Sequence, residues 1–291
     1  MIQDRLATLV ETRANRPAAI AEAAALRLRP DSLLGEHGKL MVIAADHPAR
    51  GALSAGNRPM AMADRLDLLD RLCTALARPG VNGVLGTPDI LEDLLLLGAL
   101  DGKVVIGSMN RGGLAGSAFE MDDRFTGYDA ARIQAMRFEG GKTLTRIDYA
   151  DPASVDTLEA TARAVNDLAR RDLLAMVEPF ISHRVDGLVR NVLTADATVK
   201  AAAIAAALGS TSAYTWLKLP VVDDMERVMA ATTLPVVILG GEVDSDQEAV
   251  FARWRKALAC PTARGLAVGR SLLYPPDDDV VSAVDAAVGL L

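Results

Sequence analysis

The 291-residue sequence has few aromatic residues and few cysteines, and these shortages exclude several classes of protein. Aromatic side chains make up only 4% of the residues and the net charge is −7, so the chain lacks the stacking residues and the basic surface that bind nucleic acids. Its two cysteines, Cys73 and Cys260, have no CxxC spacing, which argues against a disulfide framework or a thiolate zinc site. We therefore expect no nucleic-acid partner and no structural metal.

Long hydrophobic segments are also missing. The longest nearly unbroken apolar run, residues 94–100, is far shorter than the roughly 20 residues that cross a bilayer. Charges at Asp4, Arg5 and Glu11 interrupt the N-terminal segment, which is unlike a signal peptide. We therefore expect no membrane span and a cytoplasmic location.

Apolar material is abundant, at 51% of the residues, and it is arranged in a regular alternation. After a helical leader, residues 1–38, short β-branched or aliphatic runs alternate with longer amphipathic stretches, which is typical of βα units. The predicted strands are residues 39–46, 81–86, 103–108, 142–148, 173–179, 214–219, 235–239 and 265–268. The predicted helices are residues 62–77, 90–97, 129–138, 155–170, 199–208, 224–231, 247–258 and 279–290.

Eight strands that are apolar on both faces predict a closed (β/α)₈ TIM barrel over residues 39–291, preceded by an N-terminal helical extension over residues 1–38. A doubly wound open sheet uses the same alternation, and the number of strands distinguishes the two folds. No linker or charge run divides the chain, so we expect one barrel domain.

Unusual polar residues lie at the C-terminal ends of several predicted strands, where the active sites of such barrels form. Lys218 follows Trp216 at the strand period of two, so both side chains point to the same face. A lysine that is partly desolvated at a barrel mouth can lose its proton and attack a carbonyl to form a Schiff base. The alternative is a lysine that reaches solvent from the strand end.

Glycines follow the last two predicted strands, where TIM barrels frequently bind phosphate. Gly240, Gly241 and Gly269 would leave backbone N–H groups accessible, and Arg270 could pair with a phosphate dianion. Glycines that only turn the chain from strand to helix are the alternative.

These strand ends together resemble the class I (Schiff-base) aldolases. The resemblance is closest to the group that contains archaeal-type fructose-bisphosphate, tagatose-bisphosphate and deoxyribose-phosphate aldolases. The motifs that carry it are AADH at 44–47, VEP at 177–179, WLKLP at 216–220, VILGG at 237–241 and GLAVGR at 265–270. The match runs from about residue 39 to residue 273, which is nearly the whole predicted barrel.

The resemblance implies a lyase that cleaves or forms a C–C bond of a phosphorylated ketose without a cofactor or catalytic metal. Lys218 falls on the Schiff-base lysine, Asp46 on the aspartate that assists carbinolamine formation, and Glu178 on a glutamate used for proton transfer. The alternatives are a turn or N-cap role for Asp46 and simple ion pairing for Glu178. The glycines and Arg270 fall on the phosphate loops. The resemblance further implies carbohydrate catabolism and a homo-oligomer, and it leaves open which ketose phosphate is the substrate.

The fourth strand departs from the pattern of the group, because it carries no tyrosine acid/base. It offers Lys142 and Arg146 instead, followed by Asp148 and Tyr149. The seventh strand lacks the second lysine of deoxyribose-phosphate aldolases, and Lys142 could supply that nearby cation. We expect Lys142, Arg146 and Trp216 to bind the substrate. Arg146 would suit an anionic group of the substrate, or it could form an internal salt bridge with Asp148 or Glu178.

Three further alternatives follow from the sequence. The glycine-rich segment 109–127 could close over a substrate or could be a plain surface loop. His47 and His183, with Asp46 and Glu178, could bind a divalent ion in a metal-dependent lyase or hydrolase. The chain could also be a non-catalytic barrel that binds a sugar phosphate.

Overall fold

Eight parallel strands close into a barrel in the computed structural model, which describes residues 2–35, 37–244 and 246–291. The strands are β1 (Leu40–Ala44), β2 (Gly83–Gly86), β3 (Val104–Ser108), β4 (Gly140–Ile147), β5 (Leu174–Val185), β6 (Leu188–Asn191), β7 (Thr215–Leu219), β8 (Val236–Leu239) and β9 (Ala263–Val268). β1 pairs with both β2 and β9, and β4 pairs with β5, so all of the strands except β6 form one closed ring. The TIM barrel predicted from the strand count is confirmed.

The helices cover the outside of this ring. They are α1 (Ile2–Asn15), α2 (Ala19–Leu26), α3 (Arg65–Leu76), α4 (Pro88–Leu96), α5 (Ala130–Ala135), α6 (Ala153–Ala169), α7 (Ala195–Ala206), α8 (Met225–Ala230), α9 (Gln247–Leu258), α10 (Arg270–Leu273) and α11 (Val280–Val288). Several begin at an Asp or Thr whose side chain accepts a backbone N–H, as Asp64 does for α3 and Thr194 for α7. No helix in the described part of the chain combines the length and the apolar character needed to cross a membrane.

The barrel interior is a small apolar cluster that is separate from the larger layer between strands and helices. It contains alternate residues of β1, Leu40, Val42 and Ala44, whereas Met41 and Ile43 pack outward against the helices. Leu33 and Leu34 of the leader and Trp216 of β7 also pack against the interior cluster. Trp216 and Lys218 therefore share the inward face of β7, as the period of two predicts.

Ion pairs attach the leader to the barrel wall. The Arg13 guanidinium lies 2.8 Å from an Asp93 carboxylate oxygen on α4, and Arg27 Nη2 lies 2.8 Å from Glu139 Oε1 just before β4. Arg27 is buried and also donates to the Lys103 carbonyl oxygen at 2.8 Å. The division of the chain at residue 38 stays a prediction.

One element at the barrel mouth was not predicted. β5 continues beyond the barrel wall to Val185 and turns back into β6, which pairs with it antiparallel. The Arg184 guanidinium donates to the Ala118 carbonyl oxygen at 3.0 Å, so this hairpin contacts the segment that follows β3. The hairpin raises one side of the mouth above the strand ends.

Candidate active site

Four charged side chains of alternating sign meet at the C-terminal end of the barrel. They come from four strands: Asp46 lies just after β1, and Lys142, Glu178 and Lys218 lie within β4, β5 and β7. Lys142 Nζ lies 3.2 Å from Asp46 Oδ2 and also contacts Glu178 Oε2, and Lys218 Nζ lies 2.8 Å from Glu178 Oε1. All four are buried, with at most 8% of each residue exposed. The structure thus brings together the three residues predicted as catalytic.

The electrostatics of the cluster favour an ionised Glu178 and a readily deprotonated Lys142. Burial alone would raise the pKa of Glu178, but the ammonium groups of Lys142 and Lys218 hold it well below its ordinary value. Burial lowers the pKa of Lys142 far below the ordinary lysine value, and repulsion from Arg111 and Lys218 adds to this. A proton within the cluster is therefore held weakly on Lys142.

Asp46 accepts contacts from three donors and does not serve as a helix cap. Ser108 Oγ lies 3.2 Å and Lys142 Nζ 3.2 Å from Asp46 Oδ2, and Arg111 Nη2 contacts the same oxygen. Arg111 Nε also donates to Ser108 Oγ at 3.0 Å. Ser108 and Arg111 were not predicted as site residues, although Ser108 ends a predicted strand and Arg111 follows three residues later at the same end of the barrel.

A cavity of about 860 Å³ opens above the cluster. Asp46, Glu178 and Lys218 line it together with the glycines after β8 and β9, so the lysine and the predicted phosphate turns face one space. Gly241 has a φ of +72°, which other residues rarely adopt. A Cβ on Gly269 would collide with the Ala44 carbonyl oxygen. Only glycine therefore fits at this position, where the chain leaves β9 beside β1.

Arg270 is the charged residue at this glycine-lined end of the cavity. Its side chain is 10% exposed, and its Nη2 lies 2.6 Å from Oε1 of Glu242, which is 75% exposed. Nη1 donates to the Ser54 carbonyl oxygen at 3.4 Å, and Nε is buried without a hydrogen-bond partner. An anion that replaced the Glu242 carboxylate would meet a guanidinium that is already oriented.

Arg146 anchors the segment 109–127 over the barrel and does not pair with Asp148 or Glu178. Its Nε and Nη2 donate to Asp123 Oδ2 and Oδ1 at 2.8 and 2.6 Å, and its Nη1 donates to Glu120 Oε1 at 3.3 Å. Glu120 is also 3.2 Å from Arg50 Nη2. The segment is therefore fixed by buried ion pairs, and Arg146 has little free donor capacity for a substrate.

We expect Arg146→Met to destabilise the protein by about 3–5 kcal/mol, because the change leaves the buried Asp123 carboxylate without its bidentate partner. Urea unfolding measures the loss. Arg124→Met is the matched control, since Arg124 lies in the same segment with its side chain 79% exposed, and it should change stability by less than about 0.5 kcal/mol. Similar stabilities for the two variants would contradict a structural role for Arg146.

Two predicted substrate-binding residues do not line the cavity. Trp216 packs against the interior cluster below the site, because it lies two residues before Lys218 on the same face. Lys142 lies beneath the cavity floor with both carboxylates as partners. Neither position offers a direct contact with a substrate in the cavity, whereas Arg146, Gly240, Gly241, Gly269 and Arg270 all line it.

The two histidines of the predicted alternative metal site have separate surroundings. His183 lies on the β5–β6 hairpin, half exposed, with Nδ1 3.1 Å from Asp148 Oδ1. His47 lines the cavity. Among the described residues, no group of three or more His, Cys, Asp or Glu side chains is arranged to hold a metal ion. The side chains of Lys142, Lys218 and Arg111 contact the carboxylates of Asp46 and Glu178. These cationic groups already occupy the space in which a metal ion would bind the two carboxylates.

Comparisons with known proteins agree with the barrel architecture. The model of a family described as Cgl0159-like matches residues 38–288. A crystal structure of Cgl0159 from Corynebacterium glutamicum (Brevibacterium flavum) is 53% identical and has a TM-score of 0.96, covering 99% of this chain and 96% of that chain. No curated protein matches the sequence.

More distant solved structures share the fold. An archaeal fructose 1,6-bisphosphate aldolase is 20% identical with a TM-score of 0.66, covering 93% of this chain and 98% of that chain. A Schiff base forming fructose-1,6-bisphosphate aldolase is 20% identical with a TM-score of 0.65, covering 93% and 99%. At these identities the likeness shows the barrel fold alone.

Proposed function

The chain belongs to the Cgl0159-like family, and from that premise we propose that it is a class I aldolase that cleaves or forms a C–C bond of a phosphorylated ketose through a Schiff base on Lys218. The observation that carries the proposal is the position of Lys218 Nζ. It is buried, it lies 2.8 Å from Glu178 Oε1, and it faces the same cavity as the glycine turns and Arg270. Distant structural neighbours include Schiff-base aldolases with this fold, which supports the same reading.

The acid–base chemistry of Schiff-base formation follows from the alternating cluster. The amine of Lys218 must be neutral to attack a carbonyl, and the hydroxyl of the resulting carbinolamine needs a proton in order to leave; Lys142, which contacts Glu178 beside Lys218, is the acid that can supply it. Lys142 gives up that proton readily because burial, Arg111 and Lys218 lower its pKa. The proton then becomes available for the carbinolamine hydroxyl, which must leave as water.

Asp46 stabilises this arrangement in our proposal. Its carboxylate compensates the charges of Lys142 and Arg111, which would otherwise be buried beside each other. The iminium that forms on Lys218 is a further positive charge, and the carboxylates of Asp46 and Glu178 favour it electrostatically. The iminium then acts as the electron sink when the C–C bond breaks.

A phosphorylated substrate is supported by the charge of the cavity. The chain has a net charge of −7, yet the cavity lining carries six arginines and Lys218 against five carboxylates. The arginines are Arg50, Arg111, Arg146, Arg190, Arg253 and Arg270. We place the phosphate at Gly240, Gly241, Gly269 and Arg270, where backbone N–H groups and a guanidinium can converge on it. Carbohydrate catabolism, a cytoplasmic location and assembly into homo-oligomers remain predictions that accompany this proposal.

The proposal is tested with a panel of ketose mono- and bisphosphates, assayed for cleavage with and without EDTA. We expect at least one ketose phosphate to be cleaved at a rate that EDTA does not change. We also expect borohydride to inactivate the enzyme irreversibly, but only in the presence of the substrate or dihydroxyacetone phosphate. Activity lost with EDTA would indicate a metal enzyme, and binding without any cleavage would indicate a non-catalytic barrel.

We expect substitutions of the two ion-pair partners Arg270 and Glu242 to have opposite effects on KM. Arg270→Ala should raise KM about 10- to 100-fold with little change in kcat, because a charge-assisted hydrogen bond contributes about 1.5–3 kcal/mol. Glu242→Gln should lower KM about two- to fivefold, because the Glu242 carboxylate competes with phosphate for Arg270. Steady-state kinetics on the cleaved ketose phosphate measures both. Glu248→Gln, an exposed charge change on α9, should leave KM unchanged.

A further inference from the structure

Cleavage of the C–C bond needs a group that removes the proton from the substrate hydroxyl beyond that bond, and the cavity carboxylates are poorly placed for this role. Asp46 accepts contacts from Ser108, Arg111 and Lys142, and Glu178 is held between two lysines. These contacts stabilise the ionised carboxylates and therefore make them weak bases.

The other cavity carboxylates are also engaged. Glu120 pairs with Arg50 and Arg146, Glu242 pairs with Arg270, and Asp244 pairs with Arg253. β4, which resembles the aldolase strand that carries a tyrosine, offers no replacement. Tyr149 is 67% exposed and does not line the cavity, and Asp148 pairs with His183.

His47 is the basic side chain that remains at the cavity. It directly follows Asp46, and its ring lies beside Gly269, with Cε1 3.4 Å from the position that a Cβ on Gly269 would occupy. Nδ1 is buried without a hydrogen-bond partner and lies 3.9 Å from Asp46 Oδ1. The side chain keeps 27% of its surface exposed, so the nitrogen that can meet a substrate is Nε2. Nε2 can take a proton from a substrate when the neutral ring carries its own proton on Nδ1.

We propose that His47 is the catalytic acid/base of C–C cleavage, acting through Nε2 from its place beside Gly269 in the cavity that Lys218 also lines. This proposal rests on the proposed aldolase function. Nε2 takes the hydroxyl proton, the C–C electron pair moves to the iminium and forms a neutral enamine, and the new aldehyde leaves. The imidazolium returns the proton to the enamine carbon, and water then hydrolyses the resulting iminium to release the ketone and free Lys218.

The charges that face His47 keep it neutral at pH 7, as a base must be. Burial is the main cause of its lowered pKa, and Arg270, Lys218 and Lys142 lower it further. The carboxylates of Glu178 and Asp46 face it as well, and Glu178 acts in the opposite direction. A substrate phosphate on Arg270 would offset one of these cations, so substrate binding should raise the pKa of His47 and strengthen it as a base.

His47→Gln tests the proposal, because glutamine keeps a hydrogen-bonding amide but has no basic nitrogen. We expect kcat for cleavage to fall about 10²- to 10⁴-fold, while borohydride with dihydroxyacetone phosphate still labels Lys218. The acid limb of the wild-type kcat/KM profile, which marks protonation of His47 below the ordinary histidine pKa, should disappear. His183→Gln, the matched control on the exposed hairpin, should behave as wild type.

A cleavage rate in His47→Gln within about threefold of wild type, with the acid limb retained, would overturn the assignment. Loss of Lys218 labelling in parallel with loss of cleavage would also overturn it, because His47 would then act in Schiff-base formation or in folding. Circular dichroism distinguishes these two cases. If wild type itself is not labelled, the aldolase function fails, and that result is distinct from a failure of His47.

Discussion

Lys218→Ala abolishes turnover if the Schiff base forms on this residue, and we expect kcat to fall about 10⁴- to 10⁶-fold. The loss should be this large because no other lysine among the described residues lines the cavity. Lys142 is close, but it lies beneath the cavity floor and contacts both Asp46 and Glu178. Steady-state cleavage of the best ketose phosphate, with the folded state checked by circular dichroism, measures the effect.

Two companion variants distinguish chemistry from packing. Lys218→Arg keeps a cation beside Glu178 but cannot form a Schiff base, so it should fold like wild type and remain inactive. Lys256→Ala removes an exposed lysine from α9 and should keep full activity. More than about a tenth of wild-type turnover in Lys218→Ala or Lys218→Arg would exclude Lys218 as the nucleophile.

Glu178→Ala should destabilise the protein by about 3–5 kcal/mol and should also impair catalysis. Glu178 is the carboxylate that separates Lys142 from Lys218, so its removal leaves two buried amines beside each other. Urea unfolding at pH 7 measures the loss. Glu226→Ala, an exposed substitution on α8, serves as the control and should stay within about 0.5 kcal/mol of wild type. Equal stabilities would mean that the two lysines need no counter-charge.

The stability difference between wild type and Glu178→Ala should become smaller as the pH falls. The two lysines hold the pKa of Glu178 below the ordinary glutamate value of 4.5. A carboxylate with a lowered folded-state pKa contributes stability that is fully present above the unfolded pKa and is lost as the pH falls below it. We therefore expect the difference to be constant from pH 5 to 7 and to shrink towards pH 3. A difference that grows in acid would contradict the ion-paired Glu178.

The barrel strands could be predicted because parallel strands covered by helices are short apolar runs, and each of the eight predicted runs overlaps a strand of the ring. The β5–β6 hairpin was missed for a related reason. Beyond Ser182 the β5 residues, among them His183 and Arg184, are exposed, and β6 has no buried residue, so no buried face marks the hairpin. A hairpin outside the barrel wall needs no apolar pattern, so the rule that finds the ring does not find it.

The candidate cluster could be predicted to the level of which strand ends converge, because the functional side of a parallel barrel is fixed by chain direction. The height of a side chain within the barrel was harder to predict. The period of two put Trp216 on the same face as Lys218 but not at the same level, and Trp216 packs in the interior cluster. The partners of Arg146 and the approach of Arg111 to Asp46 depend on how residues 109–127 fold back, which local pattern does not determine.

The most direct measurement is the site of the covalent adduct. Wild-type protein is reduced with borohydride in the presence of dihydroxyacetone phosphate, digested, and analysed by mass spectrometry. We expect one equivalent of the reduced adduct on the peptide that contains Lys218 and none on the peptide that contains Lys142. An adduct on a different lysine, or no adduct with any ketose phosphate that the protein cleaves, would contradict the account.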